Sequence, residues 1–453
     1  MAAVDAGMTR DDAPPAPGPA DAALMTGAAA APAGLRGGRA GRPLIRLGWP
    51  RLALLAVLGP GLVVMLADTD AGSLITAAQS GARWGYRMIL PQLVLIPVLY
   101  VVQEMTVRLG ILTGTGHGAL IRRRFGRGWA MLSACTLFAS AIGALITEFA
   151  AVAGVGELFG VSRWVTVPAA TAFLVALALT GSYRRVERVG IALGLAELTF
   201  IPAMLLSHPD GHAMMSGLAA LPLGRGGYLY LLAANIGAVI MPWMIFYQQS
   251  AVIDKGLTAA SIGRERAGTA AGAVLTQLIM IAVVVTLAAT AGRLRAGTSL
   301  STVGQISAAL RPFLGTSGAK ILFGAGMLGA ALVAALVSSL AGAWGLSEIF
   351  GWDHTLNQRP DRRTRRFCLT YALAHVAGAV LVLLSVDLVS LAIGVEVMNA
   401  LLLPIVLGFL LALEATALPA GQRMRGWYRY TTWTLCLAVI GFALYLALFA
   451  LRP

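Results

Sequence analysis

The stretch GPGLVVMLADTDAGS, residues 59–73, decides the fold. It begins as an apolar run, then places Asp68 and Asp70 before Gly72, after which the apolar run resumes. Acidic residues and non-helical backbone are expensive in hydrocarbon, and they are tolerated only where buried protein or an aqueous cavity satisfies them. The stretch therefore predicts a membrane helix that is interrupted at membrane depth, with function at the interruption.

The composition of the whole chain favours a membrane protein. Of its 453 residues, 58% are hydrophobic and 12% are charged, whereas a soluble domain has about half apolar and a quarter charged residues. Eleven apolar segments are each long enough to cross a bilayer core of about 30 Å. This pattern argues against a soluble enzyme, a secreted disulfide scaffold, a disordered protein and a coiled coil. The segments cover residues 52–80, 87–109, 129–158, 162–181, 188–207, 228–252, 267–292, 319–349, 367–385, 387–413 and 428–451.

A second interruption lies in the sixth segment, where the apolar run meets Met241 and Pro242. The interrupted segments are the first and the sixth, so each begins a half of five helices. Broken helices at matching positions of two halves are typical of transporters that bind their substrate at an inverted-repeat interface. The alternative is that Gly72 and Pro242 only kink two ordinary helices.

The net charge of +14 predicts topology, not nucleic-acid binding. The loops are numbered by the apolar segment that they follow. Of the 34 Lys and Arg residues, 25 lie in the N-terminal region, in the even-numbered loops or, as Arg108 does, beside one of them. This bias predicts a plasma (inner) membrane protein with a cytoplasmic N-terminus, an external C-terminus and contacts to anionic lipid. The predicted organisation is a disordered cytoplasmic tail at 1–45, five-helix repeats at 46–210 and 211–414, and an eleventh helix at 415–453.

Four motifs resemble the NRAMP family of divalent-metal transporters across residues 50–410. They are the stretch 59–73, RLGILTG at 108–114, GAVIMPW at 237–243 and VEVMNALLLPIVLGF at 395–409. The resemblance implies an all-α polytopic fold of the LeuT type, with two inverted five-helix repeats plus one helix and with helices 1 and 6 unwound. It also implies a transporter and not an enzyme, with a divalent metal ion as substrate and no resident cofactor.

The resemblance implies a set of metal ligands that lies on both breaks and on the tenth segment. By residue, these are Asp70, Ser73, Met241, Glu396 and the backbone carbonyls of Ala67 and Ala238.

This sequence departs from the family pattern at four positions. Ser73 stands where the family has an Asn ligand, and Glu396 stands where it has a Gln. Trp243 and Gln248 each stand where it has a His. Because indole cannot carry a proton at physiological pH and imidazole can, Trp243 predicts weakened, altered or absent proton coupling.

Each principal ligand has a simpler interpretation as well. Asp70 could serve as the N-cap of the resumed half-helix, and Met241 could be a gap-filling apolar residue. Glu396 could be solvated near the membrane surface. If instead Asp70 and Glu396 share one site, they could neutralise a divalent cation, and without the cation one of them would tend to hold a proton.

Three further acids are candidates for supporting or proton-pathway roles. Asp68 lies two residues before Asp70, and Glu148 lies deep in the third segment. Glu104 lies near the inner end of the second segment, where it could simply pair with Arg108 at the i,i+4 spacing.

These features predict a secondary transporter of divalent cations of the Mn²⁺ or Fe²⁺ type, with H⁺ as a second candidate substrate. One alternative is a related Mg²⁺ carrier, favoured by Ser73, Trp243 and Glu396. Another is a transporter of a small organic solute, against which the paired acids argue. A membrane enzyme or sensor is a fourth alternative, for which we find no nucleophile–base pair and no soluble domain.

Overall fold

A computed structural model describes residues 60–291, 300, 302–358, 360–384 and 388–450. The predicted tail, 1–45, lies outside these residues. The described residues are α-helical with short 3-10 and π turns, without a strand among them. The helices are α1 (Pro60–Asp68), α2 (Ala71–Trp84), α3 (Ile89–Thr113), α4 (His117–Phe125), α5 (Arg127–Leu158), α6 (Arg163–Ala178), α7 (Tyr183–Gly194), α8 (Phe200–Leu206), α9 (Gly211–Ala219), α10 (Gly226–Val239), α11 (Pro242–Asp254), α12 (Ile262–Ala291), α13 (Val303–Ala309), α14 (Arg311–Phe350), α15 (Arg365–Leu384), α16 (Leu388–Ala417) and α17 (Gly426–Tyr445).

The predicted all-α membrane fold is confirmed. Where the structure describes them, the eleven apolar segments are helical over most of their length, apart from interruptions in the first and the sixth. In this part of the chain, nine helical stretches are long and apolar enough to cross a membrane, and α6 adds a shorter apolar helix. The 3-10 turn Gly85–Met88 joins α2 and α3, so the end of the first segment and the second segment form one continuous stretch.

Three short helices were not predicted, because hydropathy detects only long apolar runs. Helix α4 follows α3 in the loop that leads into α5, α9 precedes α10, and α13 precedes α14. Asp210 caps α9 by accepting hydrogen bonds from the backbone N–H groups of His212 and Ala213. The side chain of Thr302 caps α13 in the same way, by accepting from the N–H of Gln305.

Close helix packing holds the broken segments at the centre of the structure. A Cβ on Gly81 of α2 would overlap the carbonyl oxygen of Val284 in α12, so the bare glycine lets these backbones touch. Gly329 of α14 makes the same kind of contact with the carbonyl of Leu193 in α7. The break residues Thr69, Asp70, Ile240 and Met241 are all fully buried, as non-helical backbone at membrane depth requires.

The peripheral helices present large apolar side chains outward. Trp164 on α6, Leu384 on α15 and Trp427 on α17 are 62%, 73% and 82% exposed. Large apolar side chains exposed on long apolar helices are typical of a surface that faces lipid.

Candidate metal-binding site

The first break separates α1 from α2 at Thr69 and Asp70. Asp70 has extended backbone and caps α2, because its Oδ1 accepts a hydrogen bond of 2.7 Å from the backbone N–H of Ser73. The capping interpretation is therefore correct, but it uses only one carboxylate oxygen. Asp70 Oδ2 is buried without a hydrogen-bond partner, so the residue retains an oxygen for a ligand.

The second break separates α10 from α11 at Ile240 and Met241. Met241 is extended and fully buried, and Pro242 occupies the first position of α11, where its missing N–H costs nothing. The Met241 N–H points to the sulfur of Met244 at 3.2 Å. The sixth apolar segment is thus interrupted between α10 and α11, as predicted, and not merely kinked.

Ser73 joins the two breaks. Its hydroxyl lies 3.1 Å from the carbonyl oxygen of Asp68 and 2.9 Å from that of Ala238. These two oxygens belong to the ends of α1 and α10, where helix carbonyls lack intrahelical partners. The two half-helices that end at the site are therefore tied together through Ser73, and the carbonyl expected from the resemblance at Ala238 lies beside it.

Glu396 of α16 lies at the breaks and not at the membrane surface. Its side chain is fully buried, so the interpretation as a solvated residue is wrong. An added Cβ on Gly72 would overlap Glu396 Oε1 and would lie 3.5 Å from Asp70 Oδ1. Gly72 thus brings the Asp70 and Glu396 carboxyl groups to the same small space.

Two residues that the sequence did not single out hold Glu396 in place. The Nδ2 of Asn399 donates to Glu396 Oε2 at 3.1 Å, and the hydroxyl of Ser140 donates to Asn399 Oδ1 at 2.7 Å. Glu396 Oε1 has no hydrogen-bond partner. The i,i+3 spacing of Glu396 and Asn399 places both on one helix face, so the sequence could have indicated that Asn399 contacts Glu396. Ser140 lies 259 positions from Asn399, and no local pattern in the sequence indicates their contact.

Glu148 of α5 belongs to the same cluster. Its Oε2 accepts from the backbone N–H of Ala71 at 3.1 Å, and its Oε1 accepts from the hydroxyl of Thr147 at 3.0 Å. The carboxyl groups of Asp70 and Glu148 are near enough to interact electrostatically. Glu148 thus contacts the first turn of the resumed half-helix, next to the candidate metal ligand.

Glu104 does not belong to the cluster. It forms ion pairs with Arg108 at 3.3 Å and Arg266 at 2.7 Å and accepts a hydrogen bond from Tyr428. The i,i+4 pairing with Arg108 that the spacing indicated is present, and both carboxylate oxygens of Glu104 are engaged by neighbouring side chains.

The other predicted site residues are buried around the breaks. Ala67 lies in the last turn of α1, and Trp243 in the first turn of α11 has no hydrogen-bond partner for its indole N–H. Both amide atoms of Gln248 are likewise unpartnered, and Gln248 lies beside Gly61. Asp68 has no hydrogen-bond partner on either carboxylate oxygen.

A buried polar network joins α2, α3 and α10. The side chain of Asn235 donates to the hydroxyl of Ser80 at 2.7 Å and accepts from the amide of Gln92. All three residues are fully buried. Polar side chains buried in an apolar bundle are costly unless they are hydrogen-bonded, and these three satisfy one another.

The candidate metal ligands at the breaks are of several chemical types and not a cluster of acidic side chains alone. Within the described residues, no three His, Cys, Asp or Glu side chains are already arranged to hold a metal ion. The oxygens at the breaks that lack a hydrogen-bond partner come from the Asp70 and Glu396 carboxyl groups, the carbonyls of Asp68 and Ala238 lie beside Ser73, and the Met241 side chain accepts from the N–H of Met244 as a cap of α11. Oxygen donors suit hard and borderline divalent cations, and one thioether adds a modest preference for softer ones.

Replacing Gly72 by Ala is expected to abolish uptake, because the methyl group would occupy the space of Glu396 Oε1. We expect at least about a tenfold loss of divalent-cation affinity, together with about 1–3 kcal/mol of destabilisation from overpacking. Isothermal titration of the purified variant measures the affinity. Gly342→Ala is the matched control, since a Cβ there would make an ordinary 3.6 Å contact with Ala141. Wild-type affinity in Gly72→Ala would contradict this placement of the site.

Comparison with known proteins relates the whole helical region to one family. The model for natural resistance-associated macrophage protein-like proteins matches residues 61–449. The divalent metal cation transporter MntH of Pectobacterium carotovorum subsp. carotovorum is 27% identical over 304 residues, which are 64% of this chain and 72% of that protein. MntH of Xanthomonas campestris pv. campestris is 28% identical over 308 residues, 64% of this chain and 68% of that protein.

Solved structures share the fold. The manganese transporter of Eremococcus coleocola superposes with a TM-score of 0.69 at 19% identity, over 89% of this chain and 88% of that one. A Na⁺-coupled sialic acid symporter superposes with a TM-score of 0.59 at 12% identity, over 86% of this chain and 89% of that one. These similarities confirm the predicted LeuT-type fold.

Proposed function

Because this chain belongs to the natural resistance-associated macrophage protein-like family, we propose that it moves divalent metal cations of the Mn²⁺ or Fe²⁺ type across a membrane. It is a multi-pass membrane transporter and not an enzyme. We place the cation between the two helix breaks, where the two repeats at 46–210 and 211–414 would meet. Transport would proceed by alternating access around this site.

One observation carries the proposal. Asp70 Oδ2 and Glu396 Oε1 are buried carboxylate oxygens without hydrogen-bond partners, and their carboxyl groups flank Gly72. An unpaired buried polar atom is costly, and a cation that contacts both carboxyl groups would compensate both of these oxygens. The neighbouring α10 end supplies the Ala238 carbonyl, and Met241 supplies the softest donor of the second break.

Met241 supports a preference for Mn²⁺, Fe²⁺ and Cd²⁺ over Mg²⁺. Sulfur ligands select softer cations, although a single thioether among oxygens changes selectivity only modestly. Ser73 contributes its hydroxyl between the breaks, where it could serve as a ligand or hold the carbonyls of Asp68 and Ala238 in place.

Mg²⁺ is the second candidate substrate, and the burial of Glu396 favours it. A carboxylate at this position, where the family pattern has an amide, makes the donor set more negative and more oxygen-rich. Hard cations depend on such oxygens. A small organic solute with a carboxylate group fits less well, because Asp70, Glu148 and Glu396 would repel it.

We further propose that the protein lies in the inner (plasma) membrane. Its N-terminus and its even-numbered loops would then face the cytoplasm. The positively charged residues concentrate on those loops, which is the distribution that sets orientation during insertion. The same residues would contact anionic lipid headgroups.

Proteoliposome uptake tests the transport proposal and its coupling together. We expect Mn²⁺ uptake with little internal acidification, since the buried indole of Trp243 cannot carry a proton. Trp243→His should raise the acidification per Mn²⁺, measured with a pH-sensitive dye inside the vesicles. Trp164→His is the matched control, because Trp164 is exposed on a peripheral helix, and it should leave both signals unchanged.

Two results would contradict this account. Strong proton influx with Mn²⁺ in the wild-type protein would show that coupling does not need a histidine at position 243. If neither Mn²⁺ nor Mg²⁺ enters the vesicles and neither binds by calorimetry, divalent-cation transport is wrong.

A further inference from the structure

The far end of α11 is held by a buried polar contact that lies apart from the candidate metal ligands. Helix α11 begins at the second break, and Ser250 lies about 13 Å along it from Met241, at a rise of about 1.5 Å per residue. The hydroxyl of Ser250 donates to Glu348 Oε1, near the end of α14, at 2.6 Å. Both side chains are buried. A movement of α11 that changes the second break would therefore also act on this contact.

Glu348 contacts α4 as well, so one carboxyl group joins three helices. Its Oε2 accepts from the backbone N–H of Gly118 in the first turn of α4 at 3.1 Å, where a negative charge is favourable. An added Cβ on Gly116 would overlap the carboxyl group, so the bare glycine lets Glu348 reach α4. Arg122 of α4 donates to the carbonyl of Ile349 at 2.6 Å. Helices α4 and α14 are therefore bound to each other independently of α11.

Neighbouring contacts hold the same end of α11. The side chain of Gln249 donates to the carbonyl of Thr115, in the turn between α3 and α4, at 2.8 Å. Asp254, the last residue of α11, accepts from the hydroxyl of Thr355, in the loop after α14, at 2.6 Å. These partners lie in connecting segments, which can follow α11, whereas Glu348 is part of α14 itself. The contact of Glu348 with α11 is therefore the one that has to separate if α11 moves away from α14.

A polar cavity of about 310 Å³ lies beside this contact. Its lining includes Thr115, Arg122, Asp254, Glu348 and His354. A buried hydrogen bond is costly to break when its groups find no new partners. Because water in the cavity can bond to the freed hydroxyl and carboxylate, the contact can separate without leaving either group unpaired. The contact can thus both hold the helix and release it.

We propose that Ser250 and Glu348 form a latch that keeps the end of α11 against α14, and that its release opens the exit for the cation. This proposal rests on the proposed function, whose orientation places α4 and the loop after α14 on the cytoplasmic side. The hydrogen bonds of the latch join the two residues to each other and to α4, and not to the candidate metal ligands. Both are therefore positioning residues that act through α11. The latch sets how often the site opens to the cytoplasm, and not which ion it binds.

Thiol labelling of the purified full-length chain tests the latch. The background protein has its three native cysteines replaced by Ala and carries Ser347→Cys, because Ser347 is fully buried and lines the cavity. We expect Ser250→Ala to speed labelling by a water-soluble maleimide about tenfold, since it removes a hydrogen bond to a charged group and shifts the opening equilibrium by about that factor. Glu348→Ala is a second, independent variant and should speed labelling at least as much.

Two features of the design exclude other causes of faster labelling. Ser250→Ala keeps the Glu348 charge, so a faster rate in that variant does not come from a more reactive thiol. Ser338→Ala is the matched control, because Ser338 is also a fully buried serine and its hydroxyl bonds to the carbonyl of Ala335 in its own helix. It should label at the rate of the background protein.

Proteoliposome uptake separates a latch from a purely structural contact. A weaker latch populates the inward-open state more, so Ser250→Ala should raise the KM for external Mn²⁺ at least about threefold. A structural contact would lower the maximal rate and leave KM unchanged. Equal labelling in the background protein, Ser250→Ala and Glu348→Ala, or faster labelling with an unchanged KM, would overturn the latch alone. If the wild type takes up neither Mn²⁺ nor Mg²⁺, the proposed function fails, and the cation exit fails with it.

Discussion

Replacing Asp70 by Asn is expected to reduce Mn²⁺ uptake by at least about 100-fold, the upper end of the losses seen when residues that support a metal ligand are removed. Asn is as good an N-cap as Asp, so the amide can still accept the hydrogen bond from the Ser73 N–H and keep α2 intact. The variant therefore removes the negative charge at Oδ2 without removing the cap. Radioactive or fluorescence-detected uptake in proteoliposomes measures the effect.

Asp210→Asn is the matched control for this substitution. Asp210 also caps a helix, α9, through backbone N–H groups, but it lies in an exposed segment away from the breaks. The control should retain wild-type uptake. If Asp70→Asn transported Mn²⁺ as well as Asp210→Asn does, Asp70 would be a capping residue only and the site would lie elsewhere.

Replacing Glu396 by Gln is expected to weaken Mg²⁺ binding by about 10–100-fold and Mn²⁺ binding by less. The substitution restores the amide of the family pattern, keeps the shape of the side chain, and removes one of the two charges beside Gly72. Hard Mg²⁺ depends more on a charged oxygen than Mn²⁺, which also has the Met241 sulfur available. Calorimetric titration with each ion measures the difference.

Glu348→Gln provides the comparison for Glu396→Gln. Glu348 is also a buried carboxyl group, and it lies near the C-terminal end of α14. Its oxygens accept hydrogen bonds from the hydroxyl of Ser250 and from the backbone N–H of Gly118 in α4. Its replacement should leave the ratio of Mg²⁺ to Mn²⁺ affinity unchanged. Equal losses for both ions in Glu396→Gln would show that Glu396 shapes the site without binding the cation.

The fold could be predicted in large part from the sequence, because its main determinants are local. Apolar runs of membrane length specify the helices, and acids or proline inside such runs specify the breaks at Asp70 and Pro242. The helix-capping role of Asp70 and the pairing of Glu104 with Arg108 also follow from spacing over three or four residues. Short helices such as α4 and α9 lack that signal and were missed.

Only those site residues that belong to a recognisable motif, or that contact near neighbours in the sequence, could be predicted. Glu148 meets Ala71 across 77 positions, and Glu197 meets Thr69 across 128, distances at which only the packing of whole helices decides contact. The same limit applies to Ser140, which supports Glu396 through Asn399. The sequence indicated that Asp70 and Glu396 could act together, but their joint position beside Gly72 depends on how α2 and α16 pack.

Anomalous diffraction from crystals of the full-length protein soaked in Mn²⁺ tests the central claim most directly. We expect one strong peak at the manganese edge between the two breaks, within ligand distance of Asp70 and Met241 and lost in Asp70→Asn. A strong peak away from both breaks, or none in protein shown to transport Mn²⁺, would contradict the account.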